Sequence, residues 1–260
     1  MHCVGMSEAI ASSQTSFGRL RLYNLVMAVL HAVQGAAVLL LSNDFALPVT
    51  AAFMQGPPGS SASTEKLFSV PLGPAVAAFL FISALAHLLI AGPAWSWYRS
   101  NLARSRSYAR WIEYSVSSSL MIVLIAMITG IADVAALVAI GGVNASMILF
   151  GLLQEHYEQP GHPGWLPFLF GCIAGAIPWI GIGIYLWSPG STAEPPAFVY
   201  AIFVSLFLFF NSFALNMVLQ YRRVGPWRNY LFGEYAYVLL SLVAKSALAW
   251  QVFANTLVPS

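Results

Sequence analysis

The chain has 260 residues, of which 59% are hydrophobic and 8% charged, with a net charge of +2. An ordinary soluble domain carries about 25% charged residues, so this composition excludes a water-facing fold and fits a chain solvated by lipid. The small net charge and the lack of a Lys/Arg patch interleaved with aromatics exclude nucleic acid as a partner.

Residues 1–16 are polar and small and read as a disordered N-terminal tail, with no signal-peptide cleavage site before the first apolar run. Residues 17–260 read as one transmembrane domain. A span needs roughly 20 apolar residues, and seven such stretches follow in order, at about 20–41, 72–96, 104–131, 133–157, 165–188, 197–221 and 229–257. The expected fold is therefore an all-α, multi-pass bundle of seven transmembrane helices. The loop from Ser42 to Pro71 is the only long one; it is rich in Gly, Pro and Ser and has room for a short β-hairpin. Gly130 and Asp133 mark a very tight turn between spans three and four. Gln154 to Gly164 reads as a solvated loop; its Glu155, His156, Glu158 and His162 are metal-ligand types, but Pro160 and Gly161 break any helical register, so it is not taken as a zinc site. Cys3 and Cys172 form no CxxC pattern and no expected disulfide.

With seven spans, nine arginines (Arg19, Arg21, Arg99, Arg104, Arg106, Arg110, Arg222, Arg223 and Arg228) fall at one end, and Lys66 alone at the other. The positive-inside rule then puts the N-terminus in the cytoplasm and the C-terminus outside. Trp95, Trp97, Tyr98, Trp227, Tyr230, Tyr235 and Tyr237 cluster at span ends and read as interfacial belts.

Lys245 lies deep in the seventh span, where it cannot easily snorkel and where burial costs about 3 kcal/mol. Glu113 is the one carboxylate well inside a span. It lies about 14 Å past Arg104 and Lys245 about 15 Å past Tyr235, so the two share a depth and form the expected ion pair. Arg110, one turn before Glu113, is placed to modulate it. His31, His87 and Asn211 reach the same depth, Ser241 is one turn from Lys245, and Ser117, Ser118 and Ser119 follow Glu113. Together with Arg110 they predict a cytoplasmic polar cavity beside the pair. A buried amine beside a carboxylate suits a transporter's ion pair, or an imine with an aldehyde whose charge needs a counterion. The second also needs an apolar slot, for which Met121, Trp179, Phe207, Phe210 and Trp250 are candidates.

The motifs Arg110-Trp-Ile-Glu113-Tyr-Ser-Val-Ser-Ser-Ser119, Val143-Asn144-Ala-Ser-Met-Ile-Leu-Phe150, Phe207-Leu-Phe-Phe210-Asn211-Ser-Phe-Ala214 and Leu240-Ser241-Leu-Val-Ala-Lys245-Ser-Ala-Leu-Ala-Trp250 resemble those of the heliorhodopsins, from about Tyr23 to Pro259. The resemblance implies all-trans retinal bound to Lys245 as a protonated Schiff base, with Glu113 as counterion and Ser241 nearby. It implies that Tyr114, Ser118, Met121, Asn144, Trp179, Phe210, Asn211 and Trp250 line or support the pocket. It also implies that His31 and His87, with the cytoplasmic cavity, interact with a released proton. A homodimer, a cytoplasmic signalling partner, a slow photocycle and light sensing follow from the same resemblance. Pumping rhodopsins carry further motif residues four and eleven positions after the counterion. Here those positions are Ser117 and Leu124, so the carboxylate proton donor of the second is missing. The alternatives are a light-driven proton transporter or channel with the same chromophore, and a chromophore-free transporter using the Lys245–Glu113 pair.

Overall fold

The computed structural model describes residues 2–187 and 194–259, with side chains from Ser16 onward. Helix α1 (His2–Leu41) leads to a hairpin of β1 (Ala46–Met54) and β2 (Ala62–Pro71). There follow α2 (Leu72–Ala91), the short α3 (Trp95–Leu102), α4 (Tyr108–Ile128), α5 (Val134–Tyr157), α6 (Leu166–Leu186), α7 (Ala197–Tyr221) and α8 (Tyr230–Val252). Seven of these are long and apolar enough to cross a membrane, the first over Ser16–Leu41 and the last over Tyr230–Leu257. The chain is thus a seven-helix membrane bundle with an antiparallel two-stranded hairpin.

Three boundaries differ from the sequence expectation. Residues 1–16 were read as a disordered tail, yet the backbone is helical from His2; no proline lies between it and Leu41 to stop the helix. The second span ends at Ala91, because Gly92 and Pro93 interrupt the helix, and α3 is a separate short helix. The polar stretch Gln154 to Gly164 was also read as a solvated loop; in keeping with the span expected at 133–157, its first residues instead complete α5, and Gln154 and Glu155 are fully buried.

Local chemistry sets the other ends. Gly130 turns the chain between α4 and α5 at φ +102°, a conformation a Cβ would resist. The Asp133 carboxylate then caps α5, accepting from the Ala135 and Ala136 amides at 3.0 and 3.1 Å. Asn229 caps α8 through the Leu231 amide at 3.0 Å. The hairpin is tied to this framework where the Thr50 amide donates to the Ala132 carbonyl at 2.8 Å.

The bundle has two unlike ends. The hairpin, the Gly130 turn and the end of α8 share one, joined where the Asn43 amide donates to the Leu257 carbonyl at 3.0 Å. The apolar core fills that half and includes Val76, Phe79, Ile122, Leu124, Ile125, Leu248 and Val252. The arginines gather at the opposite end, and the buried polar groups lie between it and the core.

Candidate functional site

The site begins with α4 and α8, which enter from the arginine-rich end and bring Glu113 and Lys245 to one depth. Lys245 is 3% exposed, and its Nζ lies 2.9 Å from Glu113 Oε1. Nζ also donates to Ser241 Oγ at 2.9 Å, one helical turn away. Ser83 Oγ on α2 donates to the same Glu113 oxygen at 2.6 Å. Ser83 was not singled out in the sequence. Its signal was its place one turn before His87 on the same helix face. A buried ammonium is stable only where a carboxylate and further hydrogen bonds replace its water; Glu113 and Ser241 do so, and Ser83 holds the carboxylate.

Lys245 and Ser241 also form part of the wall of a cavity of about 290 Å³, near the lower end of the roughly 300–1,000 Å³ usual for small-ligand sites. Tyr114, Ser118, Met121, Trp179, Phe207, Phe210 and Asn211 share that wall. So do Trp111, Met147, Phe168, Phe213 and Met217, which no sequence feature singled out. Trp179 meets Phe203, Phe207 and Phe210 edge to face, with ring centroids 5.3 to 5.4 Å apart. Asn144 stands behind the wall and donates to Ser118 Oγ and Ser119 Oγ at 2.9 and 3.1 Å. Asn211 spends its amide on the Phe207 carbonyl at 2.8 Å rather than on a polar layer.

Trp250 does not reach the cavity. It is partly exposed, and its indole donates to Gln34 on α1 at 2.9 Å. Five residues past Lys245 on a helix amounts to about 140° of rotation, which turns it onto another face.

His31 and His87 are both buried and stack with centroids 5.6 Å apart. His87 Nδ1 lies 2.7 Å from Asn24 Oδ1, and neither nitrogen of His31 has a hydrogen-bond partner among the described residues. Polar groups thus run from Lys245 through Glu113 and Ser83 to the histidine pair, on the arginine-rich side.

Arg110 is elsewhere. Rather than modulating Glu113, it forms ion pairs with Glu155 and Glu234, all three buried. Glu113 is therefore not the only carboxylate inside the bundle. Glu155 Oε2 accepts from the Ser107 amide at 2.8 Å and the Trp111 indole at 2.7 Å, and Oε1 from the Tyr230 hydroxyl at 2.8 Å. Glu234 Oε1 accepts from the Tyr98 and Ser107 hydroxyls at 2.8 and 2.7 Å. Burial and the neighbouring Glu234 charge push the Tyr98 phenol up, which keeps it a donor. The guanidinium lies 3.9 Å from the Tyr237 ring centroid. Tyr98, Tyr230 and Tyr237, read as belt residues, thus face inward onto this cluster, while Trp97 remains exposed.

Seven membrane helices with a buried lysine of the last span paired to a carboxylate of the third, at the wall of an apolar cavity, define a rhodopsin-type membrane protein. The family model for heliorhodopsin matches residues 20–257, and the chain belongs to the heliorhodopsin family. Comparison with curated proteins finds no match. Membership carries a light-sensing role of the microbial-rhodopsin kind, the role of a photoreceptor family rather than of a class of enzymes, and a retinal chromophore in general terms.

Proposed function

We propose that the chain is a light sensor in which Lys245 Nζ carries all-trans retinal as a protonated Schiff base, Glu113 is its counterion, and no ion is pumped. The observation that carries this reading is Lys245 itself, an amine sealed in the bundle, 2.9 Å from a carboxylate and facing an apolar cavity. Retinal, when bound, supplies the absorption of visible light and a change of shape inside the cavity. The remaining work falls to the chain's own residues. Glu113 Oε1 stabilises positive charge at Nζ, Ser83 fixes that carboxylate, and Ser241 orients Nζ from the adjacent turn. Met121, Trp179, Phe207 and Phe210 keep water from the cavity. A proton leaving Nζ has Glu113 beside it and the unpartnered His31 nitrogens further along the same polar run.

The absence of pumping is supported by the half of the bundle beyond Lys245. Leu124, Ile122, Ile125, Leu248 and Val252 fill it, fully or nearly fully buried, and a conducting path needs polar groups or water there. With leucine at 124, no carboxylate stands ready to return a proton, which makes for a slow photocycle. The arginine-rich end and the N-terminus face the cytoplasm, as the positive-inside rule requires, and a signalling partner docks there. A second copy of the chain packs against this one. Exposed Phe45, Phe53, Met54, Leu67 and Phe68 on and beside the hairpin support that pairing, and the mass of the solubilised particle checks it.

Two outcomes test the proposal. In Glu113→Gln the positive charge at Nζ loses its compensation, so at neutral pH the visible band of the retinal-loaded protein moves to the near ultraviolet. An unchanged band would remove Glu113 from the counterion role. Under voltage clamp, illumination of the wild-type protein gives no photocurrent; a sustained current would establish transport instead.

A further inference from the structure

Trp111 belongs to two structures at once. Its ring forms part of the cavity wall, and its indole N–H donates to Glu155 Oε2 at 2.7 Å. Glu155 is held in turn by Arg110, which also binds Glu234 on α8. The ring has little freedom, since a Cβ added at Gly151 on α5 would stand 2.5 Å from its nearest ring carbon. The indole cannot shift without leaving Glu155 or pressing on α5.

We infer that Trp111 is the positioning residue through which a change inside the cavity reaches the Arg110–Glu155–Glu234 cluster, and through it the arginine-rich end of the bundle. This rests on the proposal that the cavity holds retinal. A displaced wall turns the indole away from Glu155, and a buried carboxylate that loses a donor is left unsatisfied, so the geometry of its remaining hydrogen bonds must readjust. One of those partners is the Ser107 amide, at the residue preceding α4. The neighbouring Arg106 donates to the His156 carbonyl at 2.9 Å, where His156 is exposed near the end of α5. The junction of the α3–α4 loop with the end of α5 is therefore where the change surfaces. In a static cluster, by contrast, Arg110, Glu155 and Glu234 would simply clamp α4, α5 and α8 together.

Light-minus-dark infrared spectra of the full-length, retinal-loaded protein in lipid vesicles distinguish the two. Tryptophan labelled with ¹⁵N in the indole reports the N–H stretch, assigned to Trp111 by its loss in Trp111→Phe. The Glu155 carboxylate band is assigned by its loss in Glu155→Gln. In the wild type both bands shift on illumination with the same rise time. In Trp111→Phe, normalised to that variant's own chromophore absorbance, the carboxylate shift is lost. A carboxylate shift of undiminished size in Trp111→Phe overturns the inference, as does a wild type in which illumination moves neither band. Should Trp111→Phe not fold, Glu155→Gln assigns the indole N–H band instead, since only the indole bonded to Glu155 changes when that acceptor is neutralised, and a wild type in which that band stays fixed on illumination overturns the inference. A wild type that takes up no retinal and shows no colour fails the underlying proposal and is recognised before any light is applied.

Discussion

Lys245→Ala, supplied with all-trans retinal, is expected to show no visible absorption band, while the wild type is coloured. The chain has only two lysines, and the other, Lys66, is exposed on β2 of the hairpin. Imine formation in the bundle therefore has a single amine to draw on. Removing that amine also leaves Glu113 largely buried without its cation, so loss of colour alone could reflect loss of fold. Lys245→Arg separates the two. A guanidinium keeps a charge beside Glu113 but forms no such imine, so this variant folds and is equally colourless. Colour in either variant, read by absorption spectroscopy after retinal addition, would move the chromophore away from position 245.

The second large effect is expected at Arg110. Arg110→Ala leaves Glu155 and Glu234 buried without the cation they share. Breaking a buried ion pair by removing one partner costs about 3–5 kcal/mol, which corresponds to a fall in Tm on the order of 10 °C for a domain of this size. Glu155→Gln combined with Glu234→Gln removes the charges but keeps the shapes, and should cost less. Arg110→Ala introduced into that double variant should then cost less than it does in the wild type, because residues of one network do not act independently. Thermal unfolding of the four proteins in the same detergent checks the cycle. Additive costs would mean that the three residues do not share a network.

This cluster is also where sequence reasoning fell short. Seven spans were legible because an apolar run of bilayer length has few other uses. The Lys245–Glu113 pair was legible because both residues lie far from any span end, and a constant helical rise converts sequence position to depth. Glu155 and Glu234 lie within a turn or so of their span ends, where a carboxylate can usually reach the interface, so position did not mark them as buried. What buries them is the inward turn of Tyr98, Trp111, Tyr230 and Arg110, a property of facing helices that a single chain does not display. Trp250 stands about 7.5 Å beyond Lys245 along α8 and points to α1, as the five-residue offset, which turns it onto another face, already implied. The hairpin was legible only as room for one, from the Gly, Pro and Ser between Ser42 and Pro71. Its anchor at Ala132 comes from the α4–α5 turn, remote in sequence.

The most direct test of the account is chemical. Retinal-loaded protein treated with borohydride under illumination, digested and analysed by mass spectrometry should carry one retinyl group, on the peptide containing Lys245. A retinyl group on Lys66 or at the N-terminus, or none on any peptide of a coloured protein, would contradict it.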